Sequence, residues 1–183
     1  MQLEMKRYIL FGLLFLTPFL LAQNKMSTRK GKLIFEASVT SFEEVNAVND
    51  DVSCVIELKT GEISCLVLIK SFHFKLVLME EHFNANYMES NDYPKATFNG
   101  IIQGFNINII GTAPKEFKLK GKLEIHGKSK QIKTNALLRK IDDKLEIISE
   151  FVIDANDFDI KIPSIVSMKV AKTVNVKTEF LVN

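Results

Sequence analysis

The chain has 183 residues and a formal net charge of +2. That near-neutral balance lacks the basic excess of a phosphate-backbone binder, which excludes nucleic acid as the expected partner. Two cysteines are too few to build a disulfide scaffold, so an apolar core, drawn from the 46% of residues that are hydrophobic, must hold the fold.

The N-terminus reads as a leader. Lys6 and Arg7 precede an apolar run from Tyr8 to Leu21, and Ala22-Gln23-Asn24 begins a polar stretch. A run of about 14 apolar residues is short of the roughly 20 that span a bilayer and has the three-part layout of a cleaved signal peptide. Cleavage is expected after Ala22, although Leu20 is an unusually large residue for its position. Residues 1–22 are therefore assigned to the leader and 23–183 to one domain. No later run approaches spanning length, so no stable membrane insertion is expected after cleavage, and the product is expected in the periplasm or outside the cell.

The first strand is predicted over Gly31–Val39. A hairpin follows, Val52–Leu58 and Ile63–Ile69, joined by Lys59-Thr60-Gly61-Glu62. A turn centred on Lys59-Thr60 sets Cys54 opposite Cys65. One centred on Thr60-Gly61 offsets the two too far for a bridge. Glycine's tolerance of positive φ favours the second register, which leaves two free thiols.

From Leu76 to Met88 the period changes. Leu76, Met79, Phe83 and Tyr87 recur at three- and four-residue spacing, the stripe of one amphipathic helix over about 76–88. It should stop before Tyr93-Pro94, because the residue before a proline is disfavoured in helix.

Beyond the helix the alternation is of period two. A strand is predicted at Ala96–Gly104. Over Phe117–Ile125, Phe117, Leu119, Gly121, Leu123 and Ile125 share one face while Lys118, Lys120, Lys122 and Glu124 share the other. His126-Gly127-Lys128-Ser129 reads as a turn, with His126 on the outward parity. Ile132 to Leu138, Leu145 to Ile153 and Val174 to Val182 repeat the strand pattern, with a short helical turn expected after Pro163. Lys118, Lys120, Lys122, Lys128, Lys130 and Lys133 are read as an outward, solvated face. Many short strands without intervening helices indicate an antiparallel barrel or sandwich.

No reaction centre emerges. His73, His82 and His126 lack metal-ligand spacing, and Asp154, Asp157 and Asp159 lack the glycine and terminal glutamate of a calcium loop. No nucleophile elbow, Walker loop or dinucleotide fingerprint occurs. The expectation is therefore no catalytic residue, no metal and no cofactor. An enzyme would have to draw on His82, Tyr87 and Tyr93. The 14 phenylalanines fit either a packed core or a cavity wall.

Two stretches carry a family resemblance. HFNANYMESNDYPKATFNG runs from His82 to Gly100 and KLKGKLEIHGKSKQIKT from Lys118 to Thr134. The HFN helix end with its following Tyr, the Tyr-Pro-Lys-Ala-Thr-Phe start of a strand, and Gly-x-Leu-x-Ile-His-Gly with Lys beyond it resemble the YceI-like family of secreted bacterial proteins. Weaker similarity extends from about Gly31 to Phe180. The N-terminal side departs from the family pattern, since Phe35-Glu36-Ala37-Ser38-Val39 leads into Ser41-Phe42-Glu43-Glu44-Val45 and the hairpin tip is Thr60-Gly61.

The resemblance implies a lipocalin-like antiparallel barrel, mainly β with one amphipathic helix, and selects barrel over sandwich. It also implies a non-catalytic protein holding a long apolar ligand, a polyisoprenoid or related lipid. On strand parity Phe35, Phe98, Phe117, Leu119, Leu123, Ile125 and Phe151, together with Phe83 from the helix, are expected to line the cavity. His82, Tyr87 and Tyr93 are expected at its mouth. The alternative is a fully packed barrel acting as an interaction module of the cell envelope. A homodimer is left open.

Overall fold

The computed structural model describes residues 24–39, 44–162 and 170–183. The expected leader and the helical turn after Pro163 lie outside the described residues, as do Ser41, Phe42 and Glu43.

Among the described residues nine strands form: β1 (Lys25–Ser38), β2 (Asn46–Glu57), β3 (Glu62–Leu68), β4 (His73–Phe74), β5 (Lys95–Ile102), β6 (Lys115–Ile125), β7 (Lys128–Ile141), β8 (Lys144–Asp154) and β9 (Val170–Val182). Hydrogen bonding runs β1-β9-β8-β7-β6-β5-β3-β2, and β2 pairs back onto β1. Eight antiparallel strands therefore close into a barrel, with β4 added beside β2 at Ala47 and Val48. Closure gives every long strand two partners and removes the long exposed edges that an open sheet would carry.

The alternation in the sequence becomes the inside and outside of this wall. On β6, Phe117, Leu119, Gly121 and Leu123 are buried while Lys118, Lys120 and Lys122 are exposed. Lys120 stands directly opposite Lys133 on β7, two like charges on the solvent face. Lys128 and Lys130 are also exposed, but they share the register of Ile125 and Leu123 and not that of Lys133, and they pair with Asp159 and Asp157. Hydrogen bonding to Lys128 holds the Asp159 carboxyl below the usual carboxylate range. Asp154 accepts from the Asn156 backbone N–H at 2.8 Å. The acidic cluster is thus a cap and two ion pairs.

The cysteine hairpin adopts the register that the glycine argument disfavoured. Cys54 pairs with Cys65 and Ile56 with Ile63, so the loop centres on Lys59-Thr60. Gly61 does take a positive φ, 74°, but as the last loop residue, with its N–H on Glu57 O at 2.8 Å. A longer loop built around a right-handed turn places its left-handed residue at the end and not at the centre.

The helical segment is shorter and less regular than its sequence pattern. An α-helix, α1, covers Val77–His82, and a π-helical turn continues it over Phe83–Tyr87. That turn is marked by the i to i+5 bond from Met88 N to Phe83 O at 2.9 Å. Leu76 caps the start and is 40% exposed, so it drops out of the inner stripe.

The barrel is filled at one end only. Ile56, Ile102, Leu138, Leu145 and Val182 are each 0% exposed and form a packed floor, with Ile110 at 2% in the same buried cluster. The opposite half of the axis is hollow.

Candidate ligand-binding cavity

A continuous cavity of about 440 Å³ occupies the upper half of the barrel, within the size range of small-molecule sites. Its wall is almost wholly apolar. Leu33, Val67, Phe98, Leu119, Leu123, Ile147, Phe151, Val176 and Phe180 supply the strand side chains, and Met79, His82, Phe83, Tyr87 and Met88 come from the helical segment.

Of the side chains expected in the wall, Phe35, Phe83, Phe98, Leu119, Leu123, Ile125 and Phe151 border this space. Phe117 does not. It shares the inward face of Leu119 but lies two residues closer to the floor, opposite Ala136 and among the fully buried residues there. His82 and Tyr87 border the cavity, His82 exposed and Tyr87 half-buried. Burial pushes the Tyr87 phenol above its ordinary range, so it stays protonated at neutral pH. Tyr93 is also a correction to the expected mouth. It stands outside the cavity, its ring 4.2 Å from that of His126 and against Gly127.

Four phenylalanines form the cavity's most aromatic corner. Phe83 stacks on Phe35 at 5.4 Å between ring centroids and meets Phe72 at 5.5 Å and Phe74 at 5.1 Å. These spacings are those of favourable aromatic pairs. Phe72 and Phe74 escaped the sequence reading because a 3₁₀ turn, Ile69–Ser71, and the two-residue β4 break any period around them.

A glycine pair sets the wall beneath Phe98. Gly100 on β5 and Gly121 on β6 are direct cross-strand partners. A Cβ on Gly121 would lie 2.5 Å from Phe98 Cζ and 2.6 Å from Gly100 Cα. The bare backbone therefore lets the Phe98 ring lie flat against the sheet, leaving the axis open. The signal was present in the sequence, since an inward-facing strand glycine marks close approach. Gly121→Ala should tilt the ring into the cavity and cost about 1–3 kcal/mol by urea denaturation. Uptake of an apolar fluorescent probe should fall with it.

Two hydroxyls deep in the wall, those of Ser149 and Thr178, are already engaged. Ser149 Oγ donates to Asn135 O at 2.8 Å and Thr178 Oγ1 to Ser149 O at 3.4 Å. Both hydroxyls spend their donors on backbone carbonyls and offer the cavity little beyond methyl and methylene surface. Among the described residues no three His, Cys, Asp or Glu side chains converge on one point.

His126 is not the free surface residue that its parity suggested. It and Gly127 form a two-residue turn with φ of 50° and 71°, the backbone that suits a tight hairpin. The ring is thereby turned back over the rim. Its Nδ1 lies 3.2 Å from Phe158 O and its Nε2 2.9 Å from Glu89 Oε2. One side chain thus ties the β6–β7 turn to the end of the helical segment and to the 3₁₀ turn Ala155–Phe158 after β8.

Solved structures share this architecture. A polyisoprenoid binding domain from Saccharophagus degradans, described as implicated in plant cell wall breakdown, superposes with a TM-score of 0.77 at 15% identity, covering 87% of this chain and 98% of that one. BcnA of Burkholderia cenocepacia gives 0.68 at 16% identity, over 83% and 96% of the two chains. The YceI protein of Campylobacter jejuni gives 0.59 at 18%, over 78% and 88%. At such identities the likeness is one of fold. No curated protein matches the chain. The family model of the YceI-like domain matches residues 25–181, almost the whole barrel from β1 to β9, and the chain belongs to that family.

Proposed function

We propose that this protein is a non-catalytic carrier that holds a long apolar molecule, a polyisoprenoid or a related lipid, inside its barrel. The observation that carries the reading is the cavity of about 440 Å³ with its apolar wall. A cavity with so few free polar partners holds water poorly and favours hydrocarbon. Each methylene buried there contributes roughly 0.8 kcal/mol, so affinity should rise with chain length more than with head-group chemistry. The polyisoprenoid-binding description of the Saccharophagus degradans domain supports the same ligand class. A fully packed interaction module would leave no such space.

In this reading the chain is exported, loses its leader after Ala22, and works in the periplasm or outside the cell. No covalent step is involved, which fits the Ser149 and Thr178 hydroxyls being committed to backbone carbonyls. Organic extraction of the purified protein followed by mass spectrometry is the direct test. Recovery of a stoichiometric lipid, or uptake of isoprenoid probes that tightens with length, is expected. No extracted lipid together with no probe uptake would overturn the carrier reading.

A further inference from the structure

We propose that Cys54 and Cys65 are the two halves of a cross-strand disulfide that forms as the protein folds in an oxidising compartment and locks the β2–β3 hairpin into the cavity wall. The two residues are direct partners in the antiparallel β2–β3 ladder, and their sulfurs are 3.1 Å apart. Directly opposed residues in such a ladder have Cα atoms about 4.5–5.5 Å apart, inside the roughly 4.4–6.8 Å that a disulfide requires. Backbone movement is therefore unnecessary. A small rotation of two side chains suffices.

The pair sits where a covalent tie has structural consequences. Cys54 is 0% exposed and has Thr28 of β1 as its other cross-strand neighbour, while Cys65 borders the cavity beside its cross-strand neighbour Phe98. The hairpin they join supplies Ile63 and Val67 to the same wall. Fixing it would hold that side of the cavity at one width whether or not a ligand is present.

The chemistry is a thiol–disulfide exchange with an oxidised dithiol oxidoreductase, or with oxidised glutathione in a test tube. One cysteine thiolate attacks the oxidant's S–S bond, and a mixed disulfide forms as one oxidant thiolate leaves and takes up a proton. The second cysteine, deprotonated, attacks the mixed disulfide and releases the oxidant's other sulfur as a thiol. Two protein thiols are oxidised by two electrons and one disulfide of the oxidant is reduced. In the folded protein Cys65 is a poor nucleophile, because its hydrogen bond to Cys54 and its burial both push the thiol well up. The bond should therefore form quickly while the hairpin is still exposed and slowly once the barrel has closed.

The full chain, refolded from the reduced state in mixtures of oxidised and reduced glutathione, provides the test. Samples are denatured without reductant, alkylated with iodoacetamide and weighed intact. The expected product takes no alkyl group, weighs two hydrogens less than the dithiol, and persists in about a tenfold excess of reduced glutathione. The oxidised form should melt about 5–10 °C above the reduced one. Cys54→Ser should instead give a Cys65 that is alkylated or glutathionylated. Two alkyl groups on protein refolded in oxidised glutathione alone would sink the proposal, as would an oxidised form no more stable than the dithiol. Lipid extraction plays no part in this readout, so a failed carrier reading and a failed disulfide are separable.

Discussion

Leu119→Asp should abolish ligand retention and cost about 4 kcal/mol or more of stability, whereas Lys120→Glu, one residue along the same strand, should leave both essentially intact. Leu119 is 6% exposed, borders the cavity, and faces Ile102 on one side and Thr134 on the other. No basic side chain stands in either register position to pair with a carboxylate. Burial would raise the new carboxyl's pKa above its unfolded value. The penalty should therefore shrink at acid pH, where both states bind the proton, and grow as pH rises through the unfolded and then the folded pKa. Leu119→Asn separates the charge from the lost apolar contact, since its deficit should not change with pH. Lys120 points outward beside Lys133, so glutamate there exchanges a like-charge pair for an opposite one, worth roughly 0.2–1 kcal/mol at most. Equal damage from the two changes in urea denaturation would mean that the inside and outside of the barrel are assigned the wrong way round.

The contrast between those neighbours is what the sequence expresses most clearly. Period-two patterning records which face of a strand meets water, and in a closed barrel that one choice is imposed on every strand. It does not record depth along the barrel axis. Phe117 and Leu119 share a face, yet one packs into the floor and the other borders the hollow half, because the difference depends on side chains brought from β5, β7, β8 and β9. Turn geometry was also beyond the pattern. His126 has outward parity, but a positive φ swings its ring onto Glu89 and Phe158 O. In the cysteine hairpin the left-handed conformation of Gly61 is legible from its residue type, whereas its place at the end of the loop depends on the strand register. The aromatic corner was legible by half. Phe35 and Phe83 stood out through strand and helix periods, while Phe72 and Phe74 lie in a segment with no period at all.

Phe83 carries the second large effect. It is the only member of the aromatic corner contributed by the helical segment, and it contacts the rings of Phe35, Phe72 and Phe74 from above. The ring is half-buried, so Phe83→Ala should cost about 2 kcal/mol, less than the 3–5 kcal/mol typical of a fully enclosed phenylalanine. The kinetic consequence should be larger than that loss alone suggests. α1 and its π-helical turn are held to the barrel here by aromatic contacts, and the opposite edge of the helix carries Val77 and Leu78, 74% and 61% exposed, which anchor nothing. Loosening this aromatic attachment should let the segment lift and raise the release rate of a bound isoprenoid probe by about tenfold, the equivalent of about 1.4 kcal/mol in the barrier. The control is a floor substitution, Phe117→Val, which removes packing without touching the cavity or the helix and should leave release nearly unchanged. If stopped-flow displacement gives the same release rate for Phe83→Ala and the unaltered protein, the helical segment is packing alone and ligand leaves by another route. If Phe117→Val speeds release as much as Phe83→Ala does, exit follows global stability and no local gate exists.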